Sequence, residues 1–395
     1  MVTSTISTRR ETPHSSYHPE FRELRRAYGF DEVALVPGDV TINPDQVDTC
    51  FRVGDLTFEI PVLAAAMDGV VDPAFAVALH QLGGLAVLNL EGVQVRYESP
   101  GDVLQEIADA SSKEATALLQ RIYTRPIKED LIARRVREVK DQGAVCAVSM
   151  TPANTKRFAP LSVEAGADLI VVQSTVTTAR HRSKSYRGLI FSELVEQIPV
   201  PVLVGNTVSY GTTLELMEEG VHGVLVGVGP GAACTSREVL GIGVPQVTAT
   251  LDCAAARDAF FRATGRYVPI ITDGGMRTGG DVCKAFAAGA DAVTLGSSFA
   301  QTKEAPGRGT HWGMATPHGA LPRGIRVQVG VNTTLERLLF GPTSRTYGTE
   351  NLVGALRLGM SMCGADTVSE MHETEIVIAP AIKTEGKIYQ MAGRQ

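Results

Sequence analysis

The chain has 395 residues, 44% of them hydrophobic and 20% charged, with a formal net charge of -6. That balance is ordinary for a soluble globular protein, and together with the lack of a long Lys/Arg run it argues against non-specific nucleic-acid binding. A specifically held small molecule is the expected partner, with no nucleic acid and no membrane, because no apolar run approaches the ~20 residues that span a bilayer.

Residues 1–20 are polar, lack the apolar core of a signal peptide and are expected to be disordered, leaving residues 21–395 as one domain. The six cysteines, at 50, 146, 234, 253, 283 and 363, are scattered, with no Cys-x-x-Cys and no accompanying His spacing. Neither a zinc site nor a disulfide framework is suggested, and a reducing cytoplasm is the expected location.

From Pro61 onward short apolar runs recur with amphipathic stretches between them, the pattern of repeated βα units. The predicted strands are Pro61–Ala66, Leu85–Leu90, Val145–Met150, Leu169–Gln173, Pro201–Gly205, Gly223–Val228, Ile270–Thr272 and Ala292–Leu295. Their near-continuous hydrophobicity suits parallel strands covered on both faces. Helical patterns at Pro73–Leu82, Ser162–Ala165, Thr212–Glu219 and Gly280–Ala288 each run into glycine, a usual helix stop. Eight such units predict an α/β fold, a (β/α)8 barrel. A doubly wound open sheet is the rival, but it wants a Gly-x-Gly-x-x-Gly loop after the first strand, and the glycine loop here follows the sixth.

Residues 91–142 interrupt the repeat and read as a charged helical elaboration, with Ile127–Lys140 alternating apolar and charged residues. After Ala300 the alternation ends, and the Gly/Pro-rich stretch 305–325, which holds the only Trp and two of the eight His, reads as a lid. Leu352–Gly359 and Thr367–Met371 read as closing helices, and Glu375–Pro380 as an extended segment.

In such barrels the loops at the C-terminal ends of the strands carry the chemistry, often with a phosphate site after the seventh and eighth. Three loops fit. After the sixth strand, Gly227-Val228-Gly229-Pro230-Gly231 curls ahead of Cys234, Thr235, Ser236 and Arg237. The cysteine is thereby presented on a polar loop as a nucleophile, with Arg237 as a cation able to favour its thiolate. After the seventh come Asp273, Gly274 and Gly275, and after the eighth Gly296 and Ser297. Free backbone N–H groups there suit a phosphate, whereas Asp273 suits paired ribose hydroxyls. A phosphate, a ribose and a thiol around one mouth describe a nucleotide.

These motifs, with Ala65-Ala66-Met67-Asp68, Gly205-Asn206, Glu304-Ala305-Pro306-Gly307 and Gly313-Met314, resemble the inosine monophosphate (IMP) dehydrogenase and guanosine monophosphate (GMP) reductase barrels over about Arg26–Met371. The chain looks in particular like the short bacterial IMP dehydrogenase-like branch without the paired CBS regulatory modules, which need far more chain than stands between Glu91 and Gln142. The resemblance implies that Cys234 attacks carbon 2 of the hypoxanthine ring, that hydride leaves for NAD, and that water hydrolyses the covalent intermediate to xanthosine monophosphate, a step in guanine nucleotide biosynthesis.

It also implies roles residue by residue. Asp273 and Gly274 face the ribose; Gly275, Gly296 and Ser297 form the phosphate loop; Met67, Ala232, Gly313 and Met314 enclose the purine. Gln173, Ser174, Asn206, Gly227 and Gly229 lie near the dinucleotide. The carbonyls of Gly229, Gly231 and Cys234 hold a potassium ion, and the assembly is a homotetramer or homo-octamer. Three positions depart from the family pattern. Gln173 stands where an aspartate contacts the nicotinamide amide, and Ser236 where a threonine follows the cysteine. The flap bearing the water-activating Arg-Tyr pair is nearly missing, which leaves Arg323 as the candidate replacement. GMP reductase, whose cysteine loop reads like Gly229–Arg237, is the alternative activity; a non-catalytic nucleotide-binding paralogue is the other.

Overall fold

The structure, a computed structural model, describes residues 24–184, 187–313 and 325–379. Residues 1–20, expected to be disordered, the candidate site residues Met314 and Arg323, and most of the stretch 305–325 expected as a lid lie outside the described residues.

Eight parallel strands close into a barrel. They are β1 (Val62–Ala64), β2 (Leu85–Asn89), β3 (Ala147–Met150), β4 (Leu169–Gln173), β5 (Val202–Thr207), β6 (Gly223–Val226), β7 (Ile270–Asp273) and β8 (Ala292–Leu295). Each runs beside its sequence neighbour, and β8 closes on β1 with Val293 opposite Val62. The apolar runs build this wall because parallel strands bury both faces, and alternate residues part into two cores. Leu63, Leu85, Val87, Leu169, Val171, Leu203, Leu225 and Ile271 point inward and pack with Phe51, Val53 and Phe58. Those three come from a hairpin (Phe51–Val53 with Leu56–Phe58) that plugs the end where strands begin. Val62, Ala64, Leu88, Val148, Ile170, Val204, Val224 and Val293 point outward to the helices.

The elaboration is helical as expected. After α1 (Pro73–Gln81) come α2 (Pro100–Asp109), α3 (Ala115–Tyr123) and α4 (Glu129–Lys140). Buried Leu104, Ile107, Leu118, Leu119 and Ile122 join α2 and α3 in an apolar cluster that also takes in Val93 and Trp312. Trp312 belongs to a strand, Thr310–Trp312, paired antiparallel with Arg326–Gln328, so the described ends of the lid region rise from one small hairpin. The extended segment near the C-terminus pairs Ile376–Ile378 with Val33–Leu35.

Two helices differ from expectation. Ser162–Ala165 is the end of a longer helix, Pro152–Glu164, which carries Pro160 inside it. The first closing helix, expected to stop at Gly359, runs on from Leu352 to Cys363, because Gly359 leaves room for the Cys283 side chain and the left-handed Gly364 (φ 74°) ends the helix. Among the described residues no helix is long and apolar enough to cross a membrane.

Candidate active site

The register sets the strand ends level. Gln173 of β4 lies opposite Gly205 of β5, and Asp273 of β7 opposite Thr294 of β8. Between β5 and β6 the pairing shifts across Gly205–Thr207, a bulge that leaves Asn206 as the extra residue and turns its side chain toward its neighbours. The Asn206 amide donates to Asp273 Oδ2 at 2.8 Å, and Gln173 Nε2 lies 3.0 Å from the same oxygen and 2.8 Å from Asn206 Oδ1.

The carboxylate fixes both amides, since each must turn an N–H toward it. Both hydrogens of the Gln173 amide are then committed, one to Asp273 and one to Asn206, and its carbonyl oxygen is what remains for a ligand. Gln173 thus offers acceptor chemistry, as a carboxylate at this position would, without the charge. Desolvation pushes the Asp273 carboxyl up to about 6 even though these amides pull it down. The other oxygen, Oδ1, keeps its capacity to accept from hydroxyls.

The glycine loop after β6 folds back over this group. Gly227 (φ 150°) and Gly229 (φ 86°) adopt backbone angles that a side chain resists. A Cβ on Gly229 would fall 2.6 Å from Arg237 Cγ, and one on Gly275 would fall 2.9 Å from Pro230 Cβ, so glycine is what lets the two turns touch. Gln246 braces them from below, donating from Nε2 to the Val226 carbonyl at 2.6 Å.

Cys234 is partly exposed, and its thiol donates to Ser236 Oγ at 3.3 Å. Cys146, Cys253 and Cys283 are buried, and burial pushes each of those thiols up to about 12, which makes them inert. The Arg237 guanidinium donates to the Val244 carbonyl at 2.7 Å and packs beside Gly229 and Gly243, so it braces the cysteine loop.

The remaining candidates divide. Met67 lies against Gly296, where a Cβ would meet its sulfur at 3.0 Å. Gly274 packs on Gly231, and Ala232 is exposed at the rim. Gly313 ends the described part of the lid. The Ser174 hydroxyl donates to the Val176 carbonyl at 2.8 Å and lies 2.9 Å from Thr177 Oγ1, which leaves it acceptor capacity only. The Gly231 carbonyl, one of the three expected around potassium, accepts from Cys234 N at 3.0 Å with one lone pair and keeps the other. Among the described residues no group of three or more His, Cys, Asp or Glu is placed to hold a metal.

Sequence reasoning missed three participants. His311 Nε2 lies 3.0 Å from Ser297 Oγ, with the ring 1% exposed. Tyr123 joins Asp68 to Trp312, donating to the carboxylate and accepting from the indole at 2.7 Å. Ile325, the first described residue after the lid, donates from its backbone to the Ala233 carbonyl at 3.2 Å. His311 and Trp312 stand out in the sequence; their partners Ser297 and Tyr123 do not.

The model of the IMP dehydrogenase / GMP reductase domain matches residues 27–316. An uncharacterised oxidoreductase of Mycobacterium leprae is 38% identical over 367 residues, which cover 91% of this chain and 98% of that protein. The inosine-5'-monophosphate dehydrogenase of Methanocaldococcus jannaschii is 26% identical, covering 92% of this chain and 95% of that one. The crystal structure of an IMP dehydrogenase/GMP reductase-like protein from Corynebacterium glutamicum superposes with a TM-score of 0.86 at 33% identity, over 91% of this chain and 96% of that one. A closed barrel of eight parallel strands, a glycine-turned cysteine and facing Asp-Gly-Gly and Gly-Ser turns thus belong to a chain of the IMP dehydrogenase / GMP reductase family, in the short form without CBS modules.

Proposed function

We propose that the protein is an IMP dehydrogenase that oxidises IMP to xanthosine monophosphate. The observation that carries the reading is the contact of the Cys234 loop with the Asp273-Gly274-Gly275 turn, Gly231 against Gly274 and Pro230 against Gly275, which supports one mouth shared by a partly exposed thiol and a carboxylate suited to ribose hydroxyls. Asp273 accepts from the ribose, the backbone at Gly275, Gly296 and Ser297 faces the phosphate, and Met67 with Ala232 flanks the base. The partly exposed Cys234 thiol, hydrogen-bonded to Ser236 Oγ, gives its proton to solvent, and the thiolate adds to carbon 2 of the purine.

A nicotinamide dinucleotide supplies the acceptor for the hydride that carbon 2 gives up, and the Gln173 carbonyl oxygen suits the N–H of its carboxamide. Water then adds at carbon 2, the carbon–sulfur bond breaks, and the thiol is restored. Arg323 is our candidate for activating that water. Potassium at the Gly229, Gly231 and Cys234 carbonyls enters no step.

GMP reductase is the second reading, favoured by the Gly229–Arg237 sequence. Weighing against it, the segment after β2 is spent on structure: Asn89 contacts Asp68 at 3.4 Å, and Glu91 accepts from Thr151 N at 2.6 Å. Absorbance at 340 nm with IMP plus NAD, and separately with GMP plus NADPH, decides. Turnover in the first mixture that vanishes in Cys234→Ala while IMP binding persists is the expected result. Turnover in the second alone overturns the assignment, and turnover in neither, with IMP still bound, leaves a nucleotide-binding paralogue.

A further inference from the structure

Ser297 is placed at the phosphate by its loop, but a hydroxyl has one hydrogen and two lone pairs, and a phosphate dianion wants the hydrogen. What decides where that hydrogen points is the group on the other side. Here it is His311, whose Nε2 lies 3.0 Å from Ser297 Oγ. The ring is carried by a strand held on both sides. Thr310 and Trp312 pair with Gln328 and Arg326, and the Trp312 indole donates to Tyr123 at 2.7 Å.

His311 Nδ1 is buried and has no hydrogen-bond partner among the described residues. A neutral imidazole carries one N–H, so there are two arrangements. With the hydrogen on Nδ1, a buried donor is orphaned and Nε2 draws the Ser297 hydrogen to itself. With the hydrogen on Nε2, the orphan is only an acceptor, the more tolerable vacancy, and the N–H goes to Ser297 Oγ.

We infer that His311 is a positioning residue, held as the Nε2–H tautomer, which donates to Ser297 Oγ and so frees the serine hydrogen for a phosphate oxygen of the ligand. The ring stays neutral at physiological pH, since burial lowers its ionisation to about 4. No second titratable group faces the ring among its described hydrogen-bond partners. The inference rests on the nucleotide reading above, but it concerns the phosphate alone and does not depend on which purine reaction follows.

The test compares IMP with inosine, which lacks the phosphate, as ligands of the intact protein in calorimetric titrations. Wild-type protein is expected to prefer IMP strongly. His311→Leu is expected to weaken IMP by about tenfold while leaving inosine affinity and melting temperature unchanged, because the Ser297 hydroxyl that serves the charged phosphate loses the donor that orients it. His311→Gln, whose side-chain amide places an N–H near the original Nε2, is expected to recover most of the loss. Ser297→Ala is expected to match His311→Leu, and the double variant to lose no more than either.

Should His311→Leu weaken inosine and IMP equally, or should the two losses add, the positioning role is overturned. A wild-type protein indifferent to the phosphate overturns the nucleotide reading and this inference with it. If His311→Leu unfolds the protein, nitrogen-15 histidine spectra of the wild type still decide: a protonated Nε2 and a bare Nδ1 support the inference, and the reverse refutes it.

Discussion

Replacing Gln173 by leucine removes one of the two amides that stabilise the Asp273 carboxylate while leaving Asn206 in place. In the native site the Gln173 amide lies 3.0 Å from Asp273 Oδ2, and the carboxyl ionises at about 6 because desolvation outweighs its two donors. A hydrogen bond to a charged group is worth about 1.5–3 kcal/mol, which corresponds to roughly 1–2 pKa units. The variant carboxyl is therefore expected to ionise near or above neutrality, so that at pH 7 most of the wild-type sites but only a minority of the variant sites present a full acceptor to the ribose. IMP affinity measured calorimetrically from pH 5 to 9 checks this. Both proteins should bind more weakly as pH falls, the variant's midpoint should lie about one to two units higher, and the curves should converge by pH 9. The ligand's own phosphate titrates near pH 6, but that contribution is common to both proteins and cancels in the comparison. Coincident midpoints, or a variant weaker by one constant factor at every pH, would refute the claim that Gln173 works through Asp273.

Asp273→Asn tests the same carboxyl through stability. A carboxyl raised to about 6 in the folded state stabilises the fold fully below its unfolded value, near 4, and that contribution is lost as pH rises through 6. Both amide donors converge on one oxygen, so an asparagine carbonyl can accept them in its place. The variant is expected to melt higher than wild type at pH 8, by up to about 3 kcal/mol of unfolding free energy, with the gain vanishing toward pH 4 and ribose binding lost. A lower melting temperature at pH 8 would contradict this. At the opposite end of the barrel, Asp291 accepts from Ile270 N at 2.7 Å, from Tyr267 at 2.5 Å and from Arg257 at 3.0 Å, the arginine side chain being 3% exposed. Asp291→Ala takes one of two carboxylates from the buried Arg257, Asp258 remaining at 2.8 Å, and leaves Ile270 N without its acceptor, and it is expected to cost about 3 kcal/mol in urea unfolding. Below its transition, nucleotide affinity should stay unchanged, and a weakened affinity there would mean that this cluster reaches the mouth.

The strands were legible because a parallel barrel demands apolar residues on both faces, and Leu169–Gln173 and Ala292–Leu295 fall where their runs end. The long helix Gln246–Thr264 was not read at all, since Thr248, Thr250, Cys253 and Arg257 are buried while Leu251 and Phe261 face outward, which reverses the pattern that marks a helix. The same division holds in the site. Glycine punctuates its turns wherever backbone angles or close approach demand it, so Cys234 and Asp273 announce themselves locally. His311, Gln246 and Tyr123 act through partners distant in sequence, with 189 residues separating Tyr123 from Trp312, and no short-range pattern encodes such a meeting.

That meeting also explains what the helical elaboration is for. The barrel closes through β1–β8 without α2 and α3, so the pair is not needed for the wall. It instead holds the base of the lid. Trp312 is buried in the apolar cluster of α2 and α3, Arg326 donates to the Ile107 carbonyl at 2.6 Å, and Arg308 reaches Gln105. From that base His311 meets Ser297, Trp312 meets Tyr123 and through it Asp68, and Ile325 meets Ala233 next to Cys234. The helical hairpin therefore supports both described ends of residues 305–325, Trp312 through its apolar cluster and Arg326 through the Ile107 carbonyl.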